Sequence, residues 1–249
     1  MPDMNTIDIY SSALVFLGAF AQGVFGFGFS LCAMPLTALI MPISQVAPAF
    51  IIFRFIQNLI VLHDSRKSLK INKIKLLILF GIIGTPLGAI LLSKANADYI
   101  KVLIGLIILG FSSLMLFGKS IKLKNYNTTQ IIAGLTSGFM NGAAALSGPA
   151  TALFLTMSET EKSEFRANIS FYSIIINIFA SFSFIISGLI DYTTIIRLLI
   201  WTPAFIIGSC SGLLCASKLQ DTRFRKLTLI LISIFSLIAI IGAIKSIVG

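Results

Sequence analysis

An arginine stands where hydrocarbon is expected. Arg54 lies eight residues from either end of the apolar run Val46 to Leu62, about 12 Å from each boundary at 1.5 Å of helix per residue. Holding a guanidinium at that depth costs about 2.5 to 3.5 kcal/mol even on lenient insertion scales. Asn58 follows at i+4 on the same helical face, with Gln57 beside it. The nine acids, Asp3, Asp8, Asp64, Asp98, Glu159, Glu161, Glu164, Asp191 and Asp221, all fall at the ends of apolar runs or between them. The arginine must therefore find carbonyls, water or an anion. Two roles are open: contact with an anionic substrate, or hydrogen bonding to the carbonyl end of an interrupted helix next to the site.

Two charge-free segments rich in glycine supply the other half of an anion site, GVFGFGFSLCAMPL from Gly23 to Leu36 and GFMNGAAALSGPATAL from Gly138 to Leu153. Glycine and proline interrupt helices, and within a bilayer the freed backbone groups survive only against protein, water or a ligand. Unpaired N–H groups at the start of a half-helix, reinforced by its dipole, hold anions without any charged side chain. Gly26, Gly28 and Ser30 are placed to form one such cradle, and Asn141, Gly142, Ser147 and Gly148 its counterpart. Gln22, Asn168 and Asn177 sit at depths suited either to ligand contact or to hydrogen bonds between helices.

The same inventory excludes other chemistry. Proton relays and sodium or divalent-cation sites use buried carboxylates or histidine. The one histidine, His63, stands at a membrane end beside Asp64. A membrane-embedded enzyme would need a nucleophile, metal cluster or acid–base pair at reachable depth, and none is available, so no catalytic residue, metal or cofactor is expected. Cys32, Cys210 and Cys215 lack metal-ligand spacing and read as small core residues.

The elements that must position these residues are membrane helices. The 249-residue chain is 57% hydrophobic and 11% charged, against about 25% charged in ordinary soluble chains. Runs of about 20 apolar residues cross a bilayer as helices; they span Val46 to Leu62, Ile74 to Ser93, Tyr99 to Gly118, Ala167 to Ile190, Thr193 to Ser217 and Leu227 to Val248. No alternation of a β-barrel is present. The net charge of +10 resides in short loops and reads as positive-inside topology information, with the lipid bilayer as partner and no nucleic acid. MPDMNTIDIY carries no Lys or Arg, so the first apolar segment lacks the basic flank of a cleaved signal and should stay in the mature protein.

The second half repeats the first. Gly84 to Gly88 followed by Ser93-Lys94 matches Gly208 to Gly212 followed by Ser217-Lys218 at an offset of 124, Gly28 and Pro35 match Gly142 and Pro149 at 114, and Asn58 matches Asn177 at 119. The GxxxG pairs Gly84/Gly88 and Gly208/Gly212 suit close helix crossing. The first element of each repeat, Ile7 to Met41 and Thr128 to Met157, is 35 and 30 residues long, too long for one upright span and too short for two. A pair of half-helices joined at the glycine break satisfies both limits, with Pro35 and Pro149 early in the second half-helix, where a missing N–H costs nothing.

If each broken element returns to its own side, fourteen loop cations fall on one side and four on the other; if each crosses once, the split is ten to eight. Charge bias favours the first. The expected fold is an all-α polytopic membrane protein forming a single membrane domain, 1–249. It holds two inverted repeats, 7–118 and 128–248, each a re-entrant broken helix pair plus three transmembrane helices, with both termini outside. The alternative is eight simple crossings with both termini inside.

At these residues the chain resembles the sulfite exporter TauE/SafE family, also called the toluene-sulfonate uptake permease superfamily. The resemblance rests on about eight hydrophobic segments, a duplicated unit, and a glycine-rich stretch leading to a proline in each unit: Gly23 through Pro35, and Gly138 through Ser147-Gly148-Pro149. It covers essentially the whole chain and implies transport of sulfite, sulfonates and related small anions. Asn141-Gly142-Ala-Ala stands where that family tends to show more glycine. The expectation is a multi-pass permease of the bacterial inner membrane that moves a small anion by alternating access, with Gln22, Gly26, Gly28, Ser30, Arg54, Asn58, Asn141, Gly142, Ser147, Gly148 and Asn177 at the substrate. A cation or metal permease using carbonyls and Cys32, or a non-transporting assembly protein, are the alternatives.

Overall fold

The computed structural model describes residues 4–117, 125–158 and 160–215, together with Leu237 and Ile241. These residues are helical, with no strand among them. The order is α1 Met4–Phe25, α2 Phe29–Thr37, α3 Ile43–Ser65, α4 Lys75–Lys94, α5 Ala97–Phe117, α6 Tyr126–Ala144, α7 Gly148–Met157, α8 Lys162–Ile186 and α9 Tyr192–Cys215. Among the described residues, five stretches are long and apolar enough to cross a membrane: Ile7–Val24, Ile43–Ser68, Lys75–Lys94, Lys162–Ile186 and Tyr192–Cys215. The protein is a polytopic membrane protein. The expected final span, Leu227 to Val248, and the basic stretches around Lys119 to Lys124 and Lys218 to Lys226 lie outside the described residues.

The broken elements differ from the expectation in proportion. Instead of two half-helices, each has one long and one short member, 22 and 9 residues in α1 and α2, 19 and 10 in α6 and α7. At 1.5 Å per residue α1 runs about 33 Å, a full crossing. The reason lies in Gly18 and Gly23, which do not break the helix because each accepts a close neighbour. A Cβ on Gly18 would meet the Phe29 carbonyl oxygen at 2.8 Å, and one on Gly23 the Leu213 nitrogen at 2.9 Å. Pro149 occupies the first turn of α7 as expected, but Pro35 lies inside α2, near its C-terminal end. Because α2 starts immediately after Gly28, the proline falls in the last turn and the helix stops two residues later.

Each short helix folds back along its long partner. Gly18 of α1 faces Phe29 and Ala33 of α2, and Ser11 Oγ lies 3.7 Å from Met41 Sδ. In the second element Ser137 shares a 2.8 Å hydrogen bond with Thr151, and the Tyr126 and Phe154 rings are 5.4 Å apart.

Helices then pair across the halves. α4 lies parallel on α6, with Gly84 and Gly88 seated against the backbone of Leu135 and Phe139, and Gly138 and Gly142 against that of Gly81 and Thr85. α9 lies parallel on α1, where Gly208 and Gly212 take the same role against Phe16 and Phe20. Cys210 therefore faces away, exposed on the outer side of α9, and is not the core residue expected; Cys32 and Cys215 are partly buried. Between these pairs α3 and α8 pack antiparallel: Asp64 and Ser65 share a cavity with Lys162 and Ser163, while Phe55 lies beside Ile178 and Phe182.

The two ends of the bundle differ in charge. One carries Arg66, Lys67, Lys70, Lys73 and Lys75 opposite the starts of α6 and α8. There the Lys73 carbonyl accepts from Tyr126 Oη at 2.8 Å and from Gln130, and the Lys73 ammonium pairs with Glu164 at 2.8 Å. The other end joins the starts of α1, α3 and α9. There Arg197 donates to the Gln45 side chain at 2.9 Å and stands 3.5 Å from Asp8, while Trp201 Nε1 donates to the Asp8 carbonyl at 3.0 Å. Beneath Trp201 an aromatic layer closes this end: Phe50, Phe29, Phe53 and Phe205, with Phe29 and Phe50 centred 4.9 Å apart and Phe53 and Phe205 4.6 Å.

Candidate functional site

The site is built at the two breaks. α1 ends through Gly26 at φ 81° and Gly28 at φ 116°, left-handed conformations that glycine adopts without a Cβ clash. α6 ends differently. Ala145 takes φ 55° while its N–H bonds the Asn141 carbonyl at 2.8 Å and Leu146 N–H bonds the Met140 carbonyl at 3.2 Å, the doubled closure typical of a helix C-terminus. An L-residue in that conformation costs about 1 kcal/mol or more, so the turn is held by its surroundings. Phe27 and Gly148 bring the breaks together, since the Phe27 ring lies 3.8 Å from where a Gly148 Cβ would stand. Both short helices thus begin in one region of the interior, and the first N–H groups of each have no partner within the helix.

Arg54 crosses to the second break. From mid-α3 it donates to Asn141 Oδ1 at 2.9 Å, to the Ala145 carbonyl and to Ser147 Oγ, and only 5% of the residue is exposed. Of the two roles open from the sequence, the capping of a broken helix's carbonyl end is realised. All three acceptors are neutral, so none of these bonds sets a carboxylate against the guanidinium.

Paired amides flank it. Gln22 Nε2 donates to Asn58 Oδ1 at 3.1 Å, and Asn141 Nδ2 donates to Asn177 Oδ1 at 3.1 Å. Both residues of the second pair stand 119 positions after those of the first, so the two hydrogen bonds are related by one sequence offset. Gln22 Oε1, Ser30 Oγ, Asn58 Nδ2 and Asn177 Nδ2 are buried with no hydrogen-bond partner among the described residues. A buried polar group left so costs about 1 to 3 kcal/mol.

The structure brings Arg54, Asn141, Ser147 and Asn177 into one hydrogen-bonded chain, with Asn58 one helical turn away along α3 and Gln22 of α1 bonded to it. Gly26, Gly28 and Ser30 line the first break, and a Cβ on Gly28 would meet nothing within 4 Å. Gly142 points elsewhere. Its Cα faces α4, where a Cβ would run into the Thr85 carbonyl, so close helix packing accounts for this glycine. Asn168 accepts the Lys70 N–H at 2.9 Å and fastens the loop before α4. Ser173, not singled out from the sequence, lies 3.4 Å from Ser147; it stands 119 positions after Arg54, the same offset as that between the amide pairs.

A cavity of about 660 Å³ opens at the basic end beside the first break, bearing Lys67, Lys162 and Arg166 with Asp64 and Glu161. The Arg166 side chain reaches within 3.3 Å of a Cβ position on Gly26. A small anion approaching from this end meets net positive charge before it meets the break.

A protein-family model described as Sulfite exporter TauE/SafE matches residues 11–239. No curated protein and no solved structure gives a match.

Proposed function

The chain belongs to the sulfite exporter TauE/SafE family, membrane transporters rather than enzymes, and on that premise we propose that it carries sulfite, a sulfonate or another small organic anion through the breaks between its two halves. The observation that carries this reading is the buried Arg54, bonded among the described residues to neutral acceptors beside the starts of two short helices. Nearby anionic charge would be stabilised by the guanidinium and by both helix starts together, whereas a cation would be repelled by all three.

The reading extends to mechanism. Antiparallel packing of α3 on α8, with α4 on α6 mirrored by α9 on α1, supports inverted repeats whose broken elements return to their own side. In that arrangement the basic end faces the cytoplasm of a bacterial inner membrane and the N-terminus faces outside. The cavity at the basic end and the aromatic layer at the other fit a carrier open to one side, which alternates by rocking about α3 and α8. Proton coupling would then arise through a protonated form of the substrate.

Flux of radiolabelled sulfite and methanesulfonate into proteoliposomes tests the reading. Wild-type protein should move at least one of them, and Arg54→Ala and Gly28→Val should abolish the movement. Unchanged flux in both variants would remove the site.

A further inference from the structure

The hydrogen bonds at the second break run in one direction. Arginine has donors only, so whatever faces Arg54 must be an acceptor, and Asn141 is obliged to turn its Oδ1 toward the guanidinium. That leaves Asn141 Nδ2 to point at Asn177, which must answer with its own Oδ1. The last group in the series, Asn177 Nδ2, is therefore a donor, and it has no partner among the described residues although Asn177 is 0% exposed. An isolated pair of amides could be turned over without loss. This pair cannot, because turning it would set an NH₂ against the guanidinium.

The equivalent pair in the first repeat has no such constraint. Gln22 and Asn58 share one hydrogen bond and leave one acceptor and one donor, Gln22 Oε1 and Asn58 Nδ2, without partners; exchanging both amides leaves one of each again. The position corresponding to Arg54 in the second repeat is Ser173, whose hydroxyl both donates and accepts and so imposes no direction.

We infer that Asn177 is the specificity-determining residue of this carrier: Arg54, acting through Asn141, fixes it as a hydrogen-bond donor, so that its station accepts oxyanions and refuses solutes that could only donate. Arg54 and Asn141 are positioning residues in this scheme. The inference rests on the proposed anion transport and adds the atom that does the choosing. A station that ends in a donor rejects a solute able only to donate, because the mismatched buried groups stay unpaired.

Titration of purified protein in detergent with methanesulfonate, which remains an anion across the working pH range, separates the outcomes. Asn177→Ser keeps a donor and should bind within threefold of wild type, whereas Asn177→Asp presents only acceptors at neutral pH and should bind at least tenfold more weakly. Lowering the pH returns a donating hydroxyl to the aspartate variant, and its affinity should recover, a response that a merely structural role would not give. Asn141→Asp retains the bond to Arg54 but turns the end of the series into an acceptor, and should also lose tenfold or more. Equal binding by Asn177→Asp and Asn177→Ser at neutral pH overturns the inference; so does wild-type binding by Asn141→Asp, should the position-177 variants fail to fold. Wild-type protein that binds neither methanesulfonate nor sulfite overturns the proposed function itself, and the inference with it.

Discussion

Gly142 and Gly148 look interchangeable in the sequence, two glycines of one motif six residues apart, yet their replacement by alanine should have opposite consequences. A Cβ on Gly142 would stand 2.7 Å from the Ala89 nitrogen and closer still to the Thr85 carbonyl oxygen. Ordinary contact begins near 3.4 Å, so α4 and α6 must separate by about 0.7 Å or more along their tightest stretch. Both obstacles are backbone atoms and no side chain can turn aside. The crossing also holds Gly84, Gly88, Gly134 and Gly138 in similar contact, and displacement at one loosens all. Overpacking in a close-packed interior costs about 1 to 3 kcal/mol, and the rigid obstacle puts Gly142→Ala near the top, at about 3 kcal/mol. A Cβ on Gly148 would find only the edge of Phe27 at 3.8 Å. There the methyl lands in ordinary contact at the first residue of α7, and the helix gains up to about 1 kcal/mol from alanine's better propensity. Reversible unfolding in mixed micelles reads both changes on one scale. Equal destabilisation by the two substitutions, or a neutral Gly142→Ala, would refute the assignment of Gly142 to helix packing.

Ala145→Gly should stabilise the protein by about 1 kcal/mol in the same assay, since it removes the cost of a left-handed alanine; Ala145→Val should destabilise it. Asp191, just before α9, accepts from Thr193 Oγ1 at 2.8 Å and from the Thr194 N–H at 2.9 Å, and these bonds hold its carboxyl below the usual aspartate range. Its contribution is complete above the unfolded-state value and fades as pH falls through the lowered folded one. Asp191→Ala should cost about 1 kcal/mol as a lost helix cap and flatten the acid limb of a melting-temperature profile.

The apolar runs placed α3, α4, α5, α8 and α9 because membrane helices advertise themselves by length and composition, which are local properties. The GxxxG pairs announced close crossings for the same reason. What they did not name was the partner: nothing in Gly208 or Gly212 says that Phe16 and Phe20 will lie against them. The broken elements were visible, but their proportions were not, because Gly23 reads as a weak point until the backbone of Gly212 and Leu213 occupies the space it leaves. Ala145 shows the converse, a left-handed turn written with an ordinary residue and enforced by contacts. At the site, the position of Arg54 midway along its helix was legible, while its ties to Asn141, Ala145 and Ser147 depend on a fold that closes over 87 to 93 positions. Direction of hydrogen bonding, which gives Asn177 its meaning, is a property of the assembled series and of no single residue.

The exchange of helices between halves bears on how the protein is made. α4 meets α6 after only some fifty further residues, but the Phe16 face of α1 waits for Gly208, which at ribosomal speeds of roughly 5 to 20 residues per second arrives about 10 to 40 seconds later. During that interval the glycine-notched side of the first helix has only lipid, or an insertion chaperone, to lie against. Assembly should therefore finish where synthesis began, and lesions at Gly208 or Gly212 should leave a late, nearly complete intermediate for the cell's membrane proteases to find.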